Sequence, residues 1–203
     1  MEFAQEHVYR HPWQRVVSAW LQKYPNSSAE HVKQSDLFER KFDALKQTLT
    51  SSRVITCVSA VPGWARTLGL GGGVVACEVS LLDIAKQKLI VSSRNLSFDS
   101  IFSIEEVCEY TPHENSEWTQ YRQTARIRAF AGLLSSRVEK FSLARISQQA
   151  QKGLSVMESL CEDLADGSRQ FLFEAENAFD EFRDFTQLRF DFNTPVKLDF
   201  SQQ

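Results

Sequence analysis

The sequence predicts an α+β fold: a curved antiparallel sheet of about six or seven strands, a short N-terminal helix, and a long C-terminal helix closing over the sheet. Three observations carry this. Short β-rich runs separated by turn residues fill positions 53–130, the pattern of a meander. Leu143, Ile146, Ala150, Leu154, Met157, Cys161 and Leu164 then recur every three or four residues, as one face of a long helix requires. Near the start, "HPWQRVVSAWLQKYPN" carries Trp13, Val16, Val17, Trp20 and Leu21 at the same helical spacing. A sheet with one apolar face covered by a helix is a two-layer solution to burial, and a cavity can remain between the layers.

In order along the chain, "EFAQEHVY" (2–9) reads as the first strand. His11 is the expected N-cap of the short helix, with Pro12 at its first position, where a missing N–H costs nothing. Pro25 ends it. Residues 26–52 are polar and mixed, with a short strand in "HVKQSDLFERKFD". The runs "RVITCVSA", "VVACEVSLL", "QKLIVSSRN", "IEEVCEY" and "WTQYRQTARIRAF" follow, with "DIAKQ" and "TPHENS" among the turn-like segments between them. Period two places Val75, Cys77, Val79 and Leu81 on one face. The long helix occupies about 133–165, and Gly167 is its expected stop. Residues 1–167 form one expected domain. Residues 168–203 form a Phe-rich, acidic C-terminal extension, read as a short amphipathic helix and a loose tail.

A chain of 203 residues buries about 70% of its unfolded surface, so folding needs no disulfide or metal. Apolar content of 42% and charged content of 24% are those of an ordinary globular chain. A net charge of −3 gives no nucleic-acid signature. Cys57, Cys77, Cys108 and Cys161 suit neither a zinc site nor a disulfide scaffold and read as small apolar residues. No apolar run reaches the length of a membrane span, and "MEFAQEHVYR" lacks the features of a cleaved leader.

The segment "VPGWARTLGLGGG" (61–73) tests for phosphate-binding loops and fails. It lacks the Lys-Ser/Thr of a P-loop, and a strand rather than a helix follows it. What remains is a glycine-rich loop with an apolar tip: Val61, Pro62, Trp64, Leu68 and Leu70, with Arg66 among them. Two readings stand. Trp suits a membrane–water interface, so the loop is a lid that touches a bilayer, or its Trp folds back into the core. There is no Gly-x-Ser-x-Gly and no His-Glu-x-x-His, and the four His have no metal-ligand spacing. No enzyme activity, cofactor or metal is expected. Glu105, Glu106 and Glu109 alternate across a strand and read as solvated. Arg122, Arg126 and Arg128, with Trp118 and Phe130, read as a solvated sheet face. Arg145, Gln149 and Lys152 form a helical stripe that wheel arithmetic puts opposite the Leu143–Leu164 face, also in solvent.

"EHVYRHPWQRVVSAWLQKYPN" followed by "HV", the Pro-x-Trp loop, "RNLSF", "SIEEVCEY", a Trp-Thr strand and "VEKFSLARISQQAQKGLSVMESL" together resemble the PRELI/slowmo family over roughly residues 1–165. The Lys-Tyr-Pro-Asn element and the Ala-Arg…Lys-Gly helix are the most specific parts. The resemblance implies a curved sheet and helices enclosing a phospholipid. It implies a carrier of acidic phospholipids, phosphatidic acid or in one branch phosphatidylserine, across the mitochondrial intermembrane space. It also implies a small helical partner with twin Cys-x9-Cys motifs, and a membrane-touching lid at residues 61–70. The head-group contacts implied are Lys23, His31, Arg53, Arg145, Gln149 and Lys152. Gln149 stands where Asn is common. Cys57 stands where phosphatidic-acid carriers have Lys, which removes one cation from the site. The resemblance turns the Arg145–Gln149–Lys152 stripe toward the cavity. A PRELI-fold interaction protein without transfer activity is the alternative.

Overall fold

A computed structural model describes residues 1–24, 31–58, 66 and 73–166. Seven strands form one sheet: β1 (Glu2–Tyr9), β2 (Val32–Asp43), β3 (Thr48–Val58), β4 (Gly73–Asp83), β5 (Lys88–Asn95), β6 (Phe102–Pro112) and β7 (Thr119–Ala129). Helix α1 (Trp13–Leu21) follows β1, and helix α2 (Ser135–Asp166) follows β7 after a single 3-10 turn at Gly132–Leu134. All neighbouring strands are antiparallel, in the order β1-β7-β6-β5-β4-β3-β2. The expected α+β architecture is therefore present.

The connection through α1 does the topological work. β1 lies at one edge and β2 at the other, so the segment carrying α1 leads from one edge of the sheet to the opposite one. The helix buries Trp13, Val16, Val17, Ala19 and Trp20. Trp13 Nε1 donates to the Tyr110 carbonyl at 3.1 Å, which gives the buried indole N–H the partner it needs. Helix α1 begins one residue later than expected. Pro12, not His11, occupies the N-cap, and its carbonyl accepts from Arg15 and Val16 N–H. Pro12 there is extended, at ψ 148°, so it precedes the first turn instead of forming it.

Two hairpins are closed by the same device. Asp43 accepts from Leu45 and Lys46 N–H, and Asp83 accepts from Lys86 N–H. Each turn ends in a left-handed residue, Gln47 or Gln87. β2 is twelve residues long, not the short strand expected, because it pairs along most of β3 while remaining an exposed edge.

The register fixes which side chains face inward. Phe102, Ile104, Glu106, Cys108 and Tyr110 of β6 share one face, as do Val74, Ala76, Glu78, Ser80 and Leu82 of β4. The period-two set Val75, Cys77, Val79 and Leu81 thus lies on the outer face, where Val79 and Leu81 are about 40% exposed (43% and 40%). Tyr9, Tyr110 and Tyr121 pack together with ring centroids 4.8–6.3 Å apart. Asn95 ties the β5–β6 connection: its Nδ2 donates to the Ser97 and Phe102 carbonyls and its Oδ1 accepts from Ile104 N–H. Met1–Glu162 form one compact unit, and residues 167–203 lie outside the described residues. The expected extension at 168–203 falls there.

Candidate functional site

Between the inner sheet face and α2 lies a cavity of about 330 Å³. Protein interiors rarely leave voids larger than a water molecule, so this space is a feature of the fold and not a packing defect. It lies within the range of ligand pockets, roughly 300–1,000 Å³. Its apolar wall includes Val91, Phe98, Phe102, Ile104, Val138 and Met157. Its polar part draws on the end of α1, the start of β2, the sheet floor and the middle of α2.

Of the residues expected to meet a head group, Lys23, His31, Arg145, Gln149 and Lys152 line this cavity. The stripe on α2 faces inward, contrary to the wheel arithmetic. The expected face runs from Leu143 to Leu164, and its Ala150, Met157 and Cys161 are buried; but Leu143 is only half-buried, while Val138, Ser142 and Val156, outside that set, are buried. The buried face is thus rotated toward the stripe. Lys152 is exposed at the rim. Arg145 donates to Gln148 at 3.2 Å and lies 6.0 Å from the Phe141 ring.

Arg53 and Cys57 are not among the lining residues; they stand beside the cavity on β3. Arg53 Nε donates to Glu78 Oε1 at 2.6 Å, and the guanidinium lies over the Trp20 and Tyr24 rings at 4.8 and 5.2 Å. All three partners, Glu78, Trp20 and Tyr24, line the cavity, so Arg53 stands behind that part of its wall. Cys57 pairs with Val74 and Val32. Burial raises its thiol pKa, with Lys23 opposing. The lid residues Val61, Pro62, Trp64, Leu68 and Leu70 lie outside the described residues, while Arg66 is exposed.

Charge shapes the site. Burial disfavours the Lys23 ammonium, but the field of Tyr24, Glu78, Cys108 and Glu106 outweighs it and holds the pKa above the ordinary value. His31 is pushed down by burial and by Lys23 and Lys152, so neutral imidazole is favoured. Glu106 is pushed up, mainly by burial and also by Glu78, against the pull of Cys108, Lys23 and Gln123.

Glu106 is a correction. It is not a solvated strand residue but part of the cavity wall, with Cys108 Sγ 3.3 Å from its Oε1. Glu78, Ser93 and Gln123 also line the cavity and were not singled out. The available signal was parity. In β6 every second residue from Phe102 to Tyr110 is apolar except Glu106, and an acid on an apolar face marks a polar interior.

The PRELI-like family model matches residues 14–167. This chain belongs to the PRELI-like family. Relatives include a UPS-like protein of Schizosaccharomyces pombe, 34% identical over 163 residues, covering 78% of this chain and 87% of that protein. Protein UPS2, mitochondrial, of Saccharomyces cerevisiae is 31% identical, covering 74% and 68%. Human PRELI domain-containing protein 1, mitochondrial, is 29% identical, covering 77% and 73%. Among solved structures, an aromatase/cyclase from Streptomyces superposes with a TM-score of 0.57 at 14% identity, covering 81% and 95%. A Thermus thermophilus protein gives 0.53 at 16%, covering 80% and 98%. These two share the fold: a sheet gripping a long helix. In this PRELI-like chain that grip encloses the cavity lined by Lys23, Gln149 and Lys152.

Proposed function

We propose that this protein carries an acidic phospholipid, the class that includes phosphatidic acid, between mitochondrial membranes across the intermembrane space. The observation that carries the reading is the cavity itself. Lys23, Arg145 and Lys152 converge on a space whose remaining wall is largely apolar. Family membership and the relatives named mitochondrial support the setting.

The physics of transfer explains the design. Lifting a lipid into water costs about 0.8 kcal/mol per exposed CH₂, so a carrier must cover the acyl chains. Buried phosphate needs cations and donors around it, which Lys23 on one wall and Arg145 and Lys152 on the facing helix supply. Housing both chains calls for α2 to stand further from the sheet than it does here. No bond is made or broken. The glycine-rich segment is part of the proposal as the membrane-touching gate, and the small twin Cys-x9-Cys partner rests on family membership alone.

The test is transfer of labelled phosphatidic acid and phosphatidylserine between vesicles. Lys152→Glu puts a like charge at the rim without touching the core. Transfer should fall by about tenfold, equivalent to about 1.4 kcal/mol. Trp64→Ala should slow transfer while leaving lipid binding in solution. A folded protein that extracts no lipid would replace this reading with an interaction protein lacking transfer.

A further inference from the structure

The two edges of the sheet are built differently. At one edge β1 is eight residues long, and its carboxylates are used inside the sheet: Glu2 meets Arg126 and Glu6 meets Arg122 on β7. At the other edge β2 runs twelve residues and pairs only with β3. Its far side leaves a row of backbone N–H and C=O groups open to a further strand. The charged residues of β2 are Lys33, Asp36, Glu39, Arg40, Lys41 and Asp43. Among the described residues only Asp43 of these is in ion-pair contact, with Lys46 of the following turn. Arg40 instead donates to Ser51 Oγ at 3.3 Å, and Asp36 accepts from Gln34 at 2.7 Å. Apolar side chains are open here as well, with Leu37 48% and Phe38 61% exposed.

Register against β3 sorts these side chains by face. Ser35, Leu37, Arg40 and Phe42 stand opposite the inward row Ile55, Arg53, Ser51 and Leu49, while Gln34, Asp36, Glu39, Lys41 and Asp43 belong to the outward face. Phe38 is the extra residue of the bulge between Leu37 and Glu39, so the inward parity switches there from odd to even numbers. A second copy can join this edge antiparallel about a two-fold axis perpendicular to the sheet, and such a join sets inward residues opposite inward ones. An axis between Phe38 and Glu39 meets that condition. Leu37 then opposes Arg40 of the second copy, Asp36 opposes Lys41, and Ser35 opposes Phe42, each pair occurring twice by symmetry. A slip of two residues is the smallest that keeps the faces matched. It opposes Asp36 to Glu39 in one direction and to Asp43 in the other. Unlike charges directly opposite each other across two strands are favourable and like charges are not, so one register is preferred to its neighbours.

We propose that β2 is a self-recognition edge: two copies of this chain join β2 to β2, antiparallel, with Asp36 of each opposite Lys41 of the other, so that two seven-stranded sheets become one continuous sheet. The proposal is independent of the carrier reading above. Charges and bulges on an edge strand ordinarily keep other strands away. Here the charges penalise the neighbouring registers and favour one, so the same groups that repel a mismatched strand admit a copy. The join satisfies edge backbone groups in the segments on either side of the bulge. Phe38 of each copy lies beside the axis, where the two chains cover it together with Leu37. The β1 edge offers no such match, because it carries Glu2 and Glu6 but no Lys or Arg, and two copies of it have no unlike pair to form.

The experiment is sedimentation velocity of the full-length chain over a rising concentration series. The parent should pass from monomer to dimer. Asp36→Lys and Lys41→Asp each set like charges opposite one another at both symmetric positions, and each should weaken self-association by about tenfold or more. An equimolar mixture of the two variants restores both unlike pairs and should dimerise as the parent does, which neither misfolding nor a change in net charge would produce. The double variant Asp36→Lys/Lys41→Asp should dimerise as well. Both side chains are exposed, so circular dichroism should show the parent fold in every variant. A parent that stays monomeric at every concentration would overturn the proposal and leave the edge to a strand of another protein. Dimers that persist in both single variants, or a mixture that stays monomeric, would overturn it too, by showing that the Asp36–Lys41 register is not the one used.

Discussion

Arg53 and Glu78 form a cross-strand ion pair under the rings of Trp20 and Tyr24, with Nε 2.6 Å from Oε1. The pair joins the end of α1 to the sheet floor and neutralises one of the two acids on that floor. Arg53, expected among the head-group contacts, stands behind the cavity wall, with its Nη2 buried and without a hydrogen-bond partner among the described residues. Breaking a buried pair by removing one partner strands the other charge, at about 3–5 kcal/mol. Arg53→Ala should therefore lower unfolding stability by several kcal/mol in urea titration. The double variant Arg53→Met/Glu78→Leu should be considerably more stable than Arg53→Ala. Equal loss in both would show that the aromatic stacking, not the charge, is what matters.

His31 should titrate below the ordinary histidine value near 6.5, because burial and the Lys23 and Lys152 charges disfavour imidazolium. A folded-state pKa below the unfolded one means that the stability it contributes is present above pH 6.5 and is lost as pH falls through the lower folded value. Following the His31 ring protons by NMR against pH measures this directly. Lys152→Glu should move the midpoint upward.

Glu106 has the opposite sign. Its pKa is raised by burial, so its contribution is complete below the ordinary glutamate value and is lost as pH rises through the higher folded value. Glu106→Gln should accordingly be more stable than the parent at pH 8, and the advantage should vanish near pH 4. A variant more stable yet extracting less lipid would show that the carboxylate serves the ligand at a cost to the fold. Loss of stability at pH 8 would contradict the burial argument.

Gly153 sits in α2 and lines the cavity, and a Cβ there would meet nothing within 4 Å. Glycine inside a helix costs about 0.8–1.0 kcal/mol relative to alanine. Gly153→Ala should stabilise the protein by up to about that amount with little loss of lipid uptake. Gly153→Phe should fill the cavity, leave the helix intact by circular dichroism, and depress lipid extraction strongly.

Sequence alone determined the strand order along the chain, the two helices and the family. These depend on local periodicity and on a few short motifs, and both are written in neighbouring residues. The N-cap of α1 and the length of β2 were displaced because a cap is set by one residue's ψ and an edge strand by its partner's length. Sequence also supplied Lys23, His31, Arg145, Gln149 and Lys152, through resemblance and not through any wheel. Only the tertiary structure decided which face of β4 turns inward, because apolar and polar parity are nearly balanced when the inner face must line a partly polar cavity. It decided that α2 is rotated to aim its polar stripe at the sheet, since that depends on what Val138 and Ser142 pack against. And it decided that Arg53 pairs with Glu78 while Glu106, two strands away, has no cation in ion-pair contact among the described residues. That difference arises from pairing register across strands distant in sequence, which no local pattern encodes.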